Sequence, residues 1–206
     1  MGQYEDFSTL TRRSLKHALS ESSCYLSGGQ TDELMQAYDS LSCFPDVEQT
    51  LESLKTAPDL RAVVFSNGTH EMVSSSVQNS PDLSPHADVF DDIIVVEEVR
   101  KFKPAPEVYS RLARKVGKDP QSEEQMKEIW LVSGNPFDVV GARAVGMNAV
   151  WVDRAGTGWQ DSLVEGEKGR PTEVVKSLDQ VVATVMSSQS DKLTEQWREM
   201  HRERNT

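Results

Sequence analysis

The stretch IWLVSGNPFDVVGARAVGMNAVWVDRAG, residues 129–156, has the pattern of a strand, a loop, a helix and a second strand. Residues 129–132 and 149–152 are short apolar runs typical of buried strands, and residues 137–145 form a helical candidate between them. A strand, a crossover helix and a second strand are the repeating unit of a parallel sheet. This stretch therefore predicts an α/β fold.

The same alternation extends towards the N-terminus and the C-terminus. Residues 62–65 and 93–96 are two further predicted strands, residues 69–77 and 106–116 are predicted helices, and Leu178, Val181, Val182 and Val185 indicate a closing helix. Before the first predicted strand the pattern is all helical, with one helix over residues 4–19, a second capped by Thr31 and running through Tyr38, and a third after Pro45. We expect a helical accessory domain over residues 1–45, an α/β core over 46–186 and a polar extension over 187–206.

Composition excludes several classes of protein. The 206 residues carry a formal net charge of −11, which disfavours binding to nucleic acid or to an anionic membrane but allows a small anionic substrate in a locally basic pocket. Cys24 and Cys43 stand alone, without the spacing of a disulfide framework or a zinc site. The N-terminus has no signal-like apolar run, and no stretch has the length of a membrane span, so we expect a cytoplasmic protein.

Polar residues follow each of the four predicted strands. Ligands of open parallel sheets bind beyond the carboxyl ends of the strands, where these side chains are expected to converge. They are Ser66-Asn67-Gly68, Lys103, Ser133-Gly134-Asn135 with Asp138, and Asp153-Arg154.

Each of these groups also has a purely structural interpretation. Ser66 and Asn67 are typical of a helix cap, Asp138 suits the first turn of a helix, and Lys103 can be a solvated surface residue. Pro104 and Pro106 favour a stiff turn that holds Lys103 near a carboxylate or a bound anion. For Asp153 and Arg154 a loop cap or an ion pair is the favoured interpretation.

Three segments together resemble the haloacid dehalogenase superfamily, and most closely its type II 2-haloacid dehalogenases. They are LRAVVFSNGTHEMV at 60–73, KFKPAPEVY at 101–109 and IWLVSGNPFDVVGARAVGMNAVWVDRAG at 129–156. The resemblance implies a Rossmann-like parallel sheet with part of a helical cap. It also implies that Ser66, Asn67 and Tyr109 bind the substrate and that Lys103, Ser133, Asn135 and Asp138 are catalytic.

The resemblance further implies the chemistry. Phosphatases of the superfamily hold Mg²⁺ with an acidic pair four residues apart, but Gly134 stands where the partner of Asp138 would be. We therefore expect no metal and no cofactor, and a small 2-halocarboxylate as the substrate. In such enzymes an aspartate displaces the halide, and water hydrolyses the resulting ester. A homodimer formed through cap helices is an assembly that the resemblance leaves open.

One family feature is absent from the sequence. The nucleophilic aspartate of the family follows the first, central strand in a D-x-Y/D-G-T motif, and no such motif occurs in the 206 residues. We therefore expect an N-terminally truncated chain that lacks the first central strand, has almost no activity alone and folds poorly unless another segment fills the gap. Two alternatives remain open: a binding or regulatory remnant without catalysis, and a phosphatase-like hydrolase of the same superfamily.

Overall fold

The structure is a computed structural model, and it describes residues 3–37, residues 41–190 and residue 194. Tyr38, at the end of the second predicted helix, and residues 191–193 and 195–206 of the predicted extension lie outside the described residues. Residues 187–190 are helical.

The described strands form two sections of parallel sheet, one with the order β1-β2 and one with the order β3-β4-β5. The strands are β1 Ala62–Ser66, β2 Phe90–Val95, β3 Trp130–Ser133, β4 Asn148–Val152 and β5 Glu173–Val175. This arrangement confirms the predicted α/β class and all four predicted strands. The sequence does not predict β5, because two adjacent valines are too short an apolar run to indicate a strand.

The described helices precede, connect and follow these strands. They are α1 Phe7–Glu21, α2 Gly28–Gln36, α3 Val47–Lys55, α4 His70–Asn79, α5 Pro106–Lys115, α6 Glu123–Met126, α7 Pro136–Ala144 and α8, residues 181–190. Helix α4 lies between β1 and β2 along the chain, and α7 lies between β3 and β4. Within the described ranges, no helix has both the length and the apolar character that crossing a membrane requires.

The start of α2 corrects the sequence interpretation. Thr31 was expected to cap this helix, but Ser27 is the N-cap, and Ser27 and Gln30 form a reciprocal capping box. Thr31 is instead buried in the second turn, where its hydroxyl donates to the Ser27 carbonyl over 2.9 Å. The capping box allows the helix to begin at Gly28, in spite of the low helix propensity of Gly28 and Gly29.

Strand β4 separates two apolar clusters because alternate side chains of a strand point to opposite faces. Ala149 and Trp151 join a cluster with residues of α5 and α7, whereas Val150 and Val152 pack with Val175, Val181 and Val185. The closing helix predicted from this valine pattern is confirmed, although it begins at Val181 after a short 3₁₀ turn, Leu178–Gln180.

Strands β1 and β3 each have one edge that pairs with no other described strand. All five residues of β1 are half-buried, and Val132 of β3 is 38% exposed, whereas every residue of β4 is buried. Strands of a parallel sheet are normally buried on both faces, and an unpaired edge presents free N–H and C=O groups. Both edges are therefore able to accept a further strand.

Candidate active site

A pocket of about 360 Å³ opens at the carboxyl ends of β1 and β3, as expected for an open parallel sheet. Its walls come from the segment after β1, from α4, from the loop before α5 and from the start of α7, together with one residue of α1. The lining residues are Phe7, Ser66, Asn67, Gly68, Met72, Val73, Ser76, Lys103, Asn135, Phe137 and Asp138.

Lys103 lines this pocket, and its side chain is only 8% exposed. Its Nζ donates to the Phe65 carbonyl at the end of β1 and to Oδ2 of Asp138, each over 3.1 Å. The ammonium group also lies 4.7 Å from the centre of the Phe65 ring. These contacts hold a buried positive charge between the ends of β1 and β3, and exclude the solvated-surface interpretation of Lys103.

Asp138 is the partner of that charge, and its side chain is 6% exposed. Oδ2 accepts from Lys103 and, over 3.2 Å, from the hydroxyl of Ser133. Oδ1 is buried, and no described residue donates a hydrogen bond to it. An unsatisfied buried carboxylate oxygen is costly, so Oδ1 is well suited to accept a proton or a hydrogen bond from a water or substrate in the pocket.

Ser133 and Asn135 shape the loop before α7. The backbone N–H of Asn135 donates to the Ser133 hydroxyl oxygen over 3.0 Å, and that hydroxyl donates in turn to Asp138. Asn135 occupies the N-cap position of α7 without a side-chain capping bond, and it is exposed where it lines the pocket. Its amide is therefore placed to contact a ligand.

Ser66 and Asn67 reach the same pocket from β1. The Ser66 hydroxyl accepts from the Gly68 N–H over 3.0 Å, and Oδ1 of Asn67 accepts from the Lys103 N–H over 2.9 Å. Since Oδ1 of Asn67 is engaged, its amide NH₂ is the group that can donate to an anion. The N-cap of α4 is Thr69, so neither Ser66 nor Asn67 caps the helix.

Tyr109 lies beneath the pocket and does not line it. The residue is fully buried, its hydroxyl donates to the Asp138 carbonyl over 3.3 Å, and its ring makes an edge contact with Phe65. Burial, together with the charge of Asp138, raises the pKa of Tyr109 above its ordinary value, so the hydroxyl stays protonated. In this arrangement Tyr109 supports the first turn of α7.

Asp153 and Arg154 have the structural roles that the sequence favoured. The Asp153 carboxylate accepts from the N–H groups of Thr157 and Gly158 and so closes the loop after β4. Arg154 makes two hydrogen bonds with Asp46, over 2.9 and 3.0 Å. Neither residue lines the pocket described above.

Sequence reasoning missed six residues of the site, of which Met72, Val73 and Ser76 belong to α4. Phe7 of α1 and Phe137 of α7 line the pocket, and Gly141 gives Tyr109 room to pack. Phe7 falls within the helix predicted over residues 4–19, and its contact with the pocket depends on how that helix docks. The contact of Gly141 with Tyr109 cannot be predicted from the sequence either, because the two residues lie on different helices.

The described residues around Asp138 do not form a carboxylate cluster for a metal ion. Gly134 provides no carboxylate beside Asp138, and no group of three His, Cys, Asp or Glu residues that could hold an ion occurs among the described residues. The charge facing Asp138 in this structure is the ammonium group of Lys103.

Comparison with known proteins identifies the family. The sequence profile of the haloacid dehalogenase-like hydrolases matches residues 2–146. The chain is 34% identical over 156 residues to (S)-2-haloacid dehalogenase 4A of Burkholderia cepacia, and 33% identical over 154 residues to (S)-2-haloacid dehalogenase 1 of a Pseudomonas species. These matches cover 76% and 75% of the chain, and 63% of each relative.

A solved structure has the same architecture. The L-2-haloacid dehalogenase from Xanthobacter autotrophicus with covalently bound chloropropionic acid superposes with a TM-score of 0.75 at 29% identity, over 90% of this chain and 78% of that one. The chain spans less than two thirds of the length of the two dehalogenases of Burkholderia cepacia and Pseudomonas. The profile match, the relatives and the shared fold show that this chain belongs to the haloacid dehalogenase-like hydrolases.

Proposed function

We propose that this chain carries the lysine-bearing and substrate-binding part of a dehalogenase active site, and that the protein hydrolyses short (S)-2-haloacids to 2-hydroxy acids. The observation that carries the proposal is the buried contact between Lys103 and Asp138 at the pocket, 3.1 Å from Nζ to Oδ2. The names of the curated relatives support the choice of reaction.

The proposed reaction has two displacement steps. A carboxylate attacks C2 of the 2-halocarboxylate, so a C–O bond forms while the carbon–halogen bond breaks and halide leaves with inversion. Water then attacks the carbonyl of the resulting ester, which releases the 2-hydroxy acid and restores the carboxylate. The covalent intermediate divides one difficult displacement into two easier steps.

The residues of the pocket suit separate parts of this reaction. The Lys103 ammonium neutralises the attacking carboxylate and the substrate anion, and the amide of Asn67 and the hydroxyl of Ser66 bind the substrate carboxylate. Oδ1 of Asp138 accepts a proton from the hydrolytic water, while Ser133 and Asn135 fix the position of that water. Tyr109 contributes through the Asp138 carbonyl, by holding α7 in place.

We propose that the nucleophile is an aspartate on a strand that lies between the unpaired edges of β1 and β3. Two observations support this position: Lys103 bridges the end of β1 and the start of α7, the helix that follows β3, and both strands are less buried than β4. A carboxylate at the end of such a strand would face the Lys103 ammonium. The family motif that would carry it does not occur in residues 1–206.

The test is halide release from (S)-2-chloropropionate by the protein produced from its native transcript. We expect chloride and (R)-lactate in equal amounts, with little turnover of the (R)-substrate. Lys103→Met should lower kcat/KM by roughly 10²–10³-fold, the typical effect of removing one preorganised charge-stabilising group.

Lys101→Met provides a matched control, because Lys101 is 52% exposed and pairs with Glu107 outside the pocket. Its activity should stay close to that of the unmodified protein. An equal loss in both variants would contradict the assignment of Lys103. Binding of 2-chloropropionate without halide release would favour a binding or regulatory role, and Mg²⁺-dependent release of phosphate would favour a phosphatase.

The assembly and the location of the protein are parts of the same proposal. We propose a homodimer that buries apolar side chains of the helices α1 and α2. In α1 Leu10 is 36% exposed, and in α2 Leu34 is 45% exposed. We also propose that the protein works in the cytoplasm. Sedimentation equilibrium and cell fractionation would test these two statements.

A further inference from the structure

The loop from Val96 to Lys103 contacts both the pocket and the N-terminal residues 3–21, which include α1 and are called the cap segment here. Its last residue, Lys103, carries the ammonium that contacts Asp138. The residue before it, Phe102, packs both against the apolar cluster beneath the sheet and against aromatic residues of the cap segment. A side chain that contacts both parts is able to transmit the position of the cap to the lysine.

The contacts of Phe102 with the cap segment are direct. The centre of its ring lies 5.3 Å from that of Tyr4 and 6.3 Å from that of Phe7, the latter in an edge-on arrangement. Such ring pairs stabilise a fold by more than the burial of their apolar area alone would give. Phe7 also lines the pocket, so Phe102 contacts a residue that a bound substrate would meet.

Neighbouring residues hold the cap end of this contact in place. The Arg100 guanidinium lies 5.6 Å from the centre of the Tyr4 ring. Glu97 fixes the loop that carries Arg100, because it accepts a hydrogen bond from the His70 N–H at the start of α4. The Tyr4 hydroxyl is buried and makes no hydrogen bond to a described residue. Tyr4 is therefore held by ring contacts and by the charge of Arg100.

The lysine end is equally constrained. The Lys103 N–H donates to Asn67, and its Nζ donates to Phe65 and Asp138. A shift of Phe102 along the backbone moves the adjacent Lys103 N–H away from Asn67 and changes the reach of Nζ. Small displacements of this kind have large effects on charge-assisted contacts in a site with little solvent.

We propose that Phe102 is a positioning residue, through which Tyr4 and Phe7 of the cap segment hold the Lys103 ammonium in contact with Asp138. This inference rests on the proposed function for the importance of Lys103, but its geometry is independent of turnover. Docking of α1 against Phe102 keeps Lys103 buried. Undocking of α1 frees the ammonium and exposes it to solvent.

The test measures the reactivity of the Lys103 amine rather than catalysis. The protein, produced from its native transcript, is labelled briefly with acetic anhydride over a range of pH, and mass spectrometry gives the labelling rate of each lysine. In Phe102→Ala, the Lys103 rate should rise roughly five- to tenfold, the change that corresponds to loss of an aromatic contact. The rates of exposed lysines such as Lys101 should not change.

Two further variants separate positioning from stability. Phe102→Tyr keeps the ring and should restore slow labelling of Lys103. Tyr4→Leu removes the contact from the cap side while Phe102 stays in the core cluster, so it should raise the Lys103 rate even if Phe102→Ala does not fold.

Phe44→Ala is the matched control, because it removes a phenyl ring that stacks on Arg154, 4.2 Å away, rather than on the Lys103 loop. An equal rise of the Lys103 rate in Phe44→Ala would overturn the proposal, since general loosening would then explain the result. Unchanged Lys103 labelling in folded Phe102→Ala or in Tyr4→Leu would also overturn it. Failure of halide release in the unmodified protein would overturn only the proposed function.

Discussion

Gly141 shows how the absence of one side chain shapes the site. A Cβ at this position would lie 2.3 Å from the Tyr109 hydroxyl and 2.8 Å from Cβ of Pro104. Tyr109 is fully buried, so it has no free space into which it can move. We expect Gly141→Ala to lower the free energy of unfolding by about 1–3 kcal/mol through overpacking, as measured by urea denaturation.

Gly29→Ala provides the comparison. Gly29 is helical, and a Cβ there would meet nothing within 4 Å, so the replacement should leave stability unchanged or raise it by up to about 1 kcal/mol through helix propensity. If Gly141→Ala were tolerated as well as Gly29→Ala, the close packing of Tyr109 against α7 would not be a constraint in solution.

At the scale of elements, Asp46 joins the start of α3 to the loop after β4 and to the segment before α8. Its carboxylate accepts from Arg154, Ser177 and the Leu178 N–H, and its side chain is 12% exposed. Hydrogen bonding from Arg154, assisted by that from Leu178, lowers the pKa of Asp46 below its ordinary value of 3.8 in spite of partial burial. The folded state therefore favours the charged carboxylate.

The sign of the pH dependence follows from this lowered pKa. The stabilisation by Asp46 is present above pH 3.8 and is lost as the pH falls below it, through the pKa of the folded state. At neutral pH we expect Asp46→Asn to be less stable by about 1–3 kcal/mol, the usual range for hydrogen bonds to charged groups. The difference from the unmodified protein should shrink in denaturation curves below pH 3.8.

Asp91→Asn tests whether burial causes this effect. Asp91 also pairs with an arginine, Arg61, over 2.6 Å, but the two side chains are 41% and 71% exposed. Exposed ion pairs contribute about 0–1 kcal/mol. A pH-dependent loss in Asp91→Asn as large as that in Asp46→Asn would contradict the role assigned to the partial burial of Asp46.

At the scale of the whole molecule, each of the two described sections of sheet has an unpaired edge strand, β1 or β3, that a further strand could cover. β1 pairs only with β2 and β3 only with β4 among the described strands. Some backbone amides of β1 and β3 donate no hydrogen bond to β2 or β4. In the protein produced from its native transcript, we expect these amides to exchange with solvent nearly as slowly as the amides of β4. Hydrogen exchange measured by NMR reports each amide separately.

Fast exchange confined to those amides would mean that both edges face solvent, and the proposed position of the nucleophile would then be wrong. The helix α8 provides an internal control, because its amides bond within the helix and do not depend on a further strand. The same experiment tests the expectation that the sheet is incomplete without another segment.

The sequence by itself determined the order and type of the main elements. Short apolar runs and helical periodicity depend only on residues that are close along the chain. The sequence therefore predicted strands β1 to β4 and the α/β class. The same locality explains why Ser66, Lys103 and Asp138 were selected, since each follows a predicted strand. Local reasoning was wrong at Thr31, where the reciprocal contacts of Ser27 and Gln30 start the helix earlier.

Only the tertiary structure decided which of these side chains meet. The contact of Lys103 with Asp138, the packing of Tyr109 on Gly141 and the pairing of Asp46 with Arg154 join residues that are distant along the chain. The three-residue strand β5 likewise exists only through its pairing with β4. Such contacts depend on how strands and helices pack against each other, and that packing leaves no periodic pattern in the sequence.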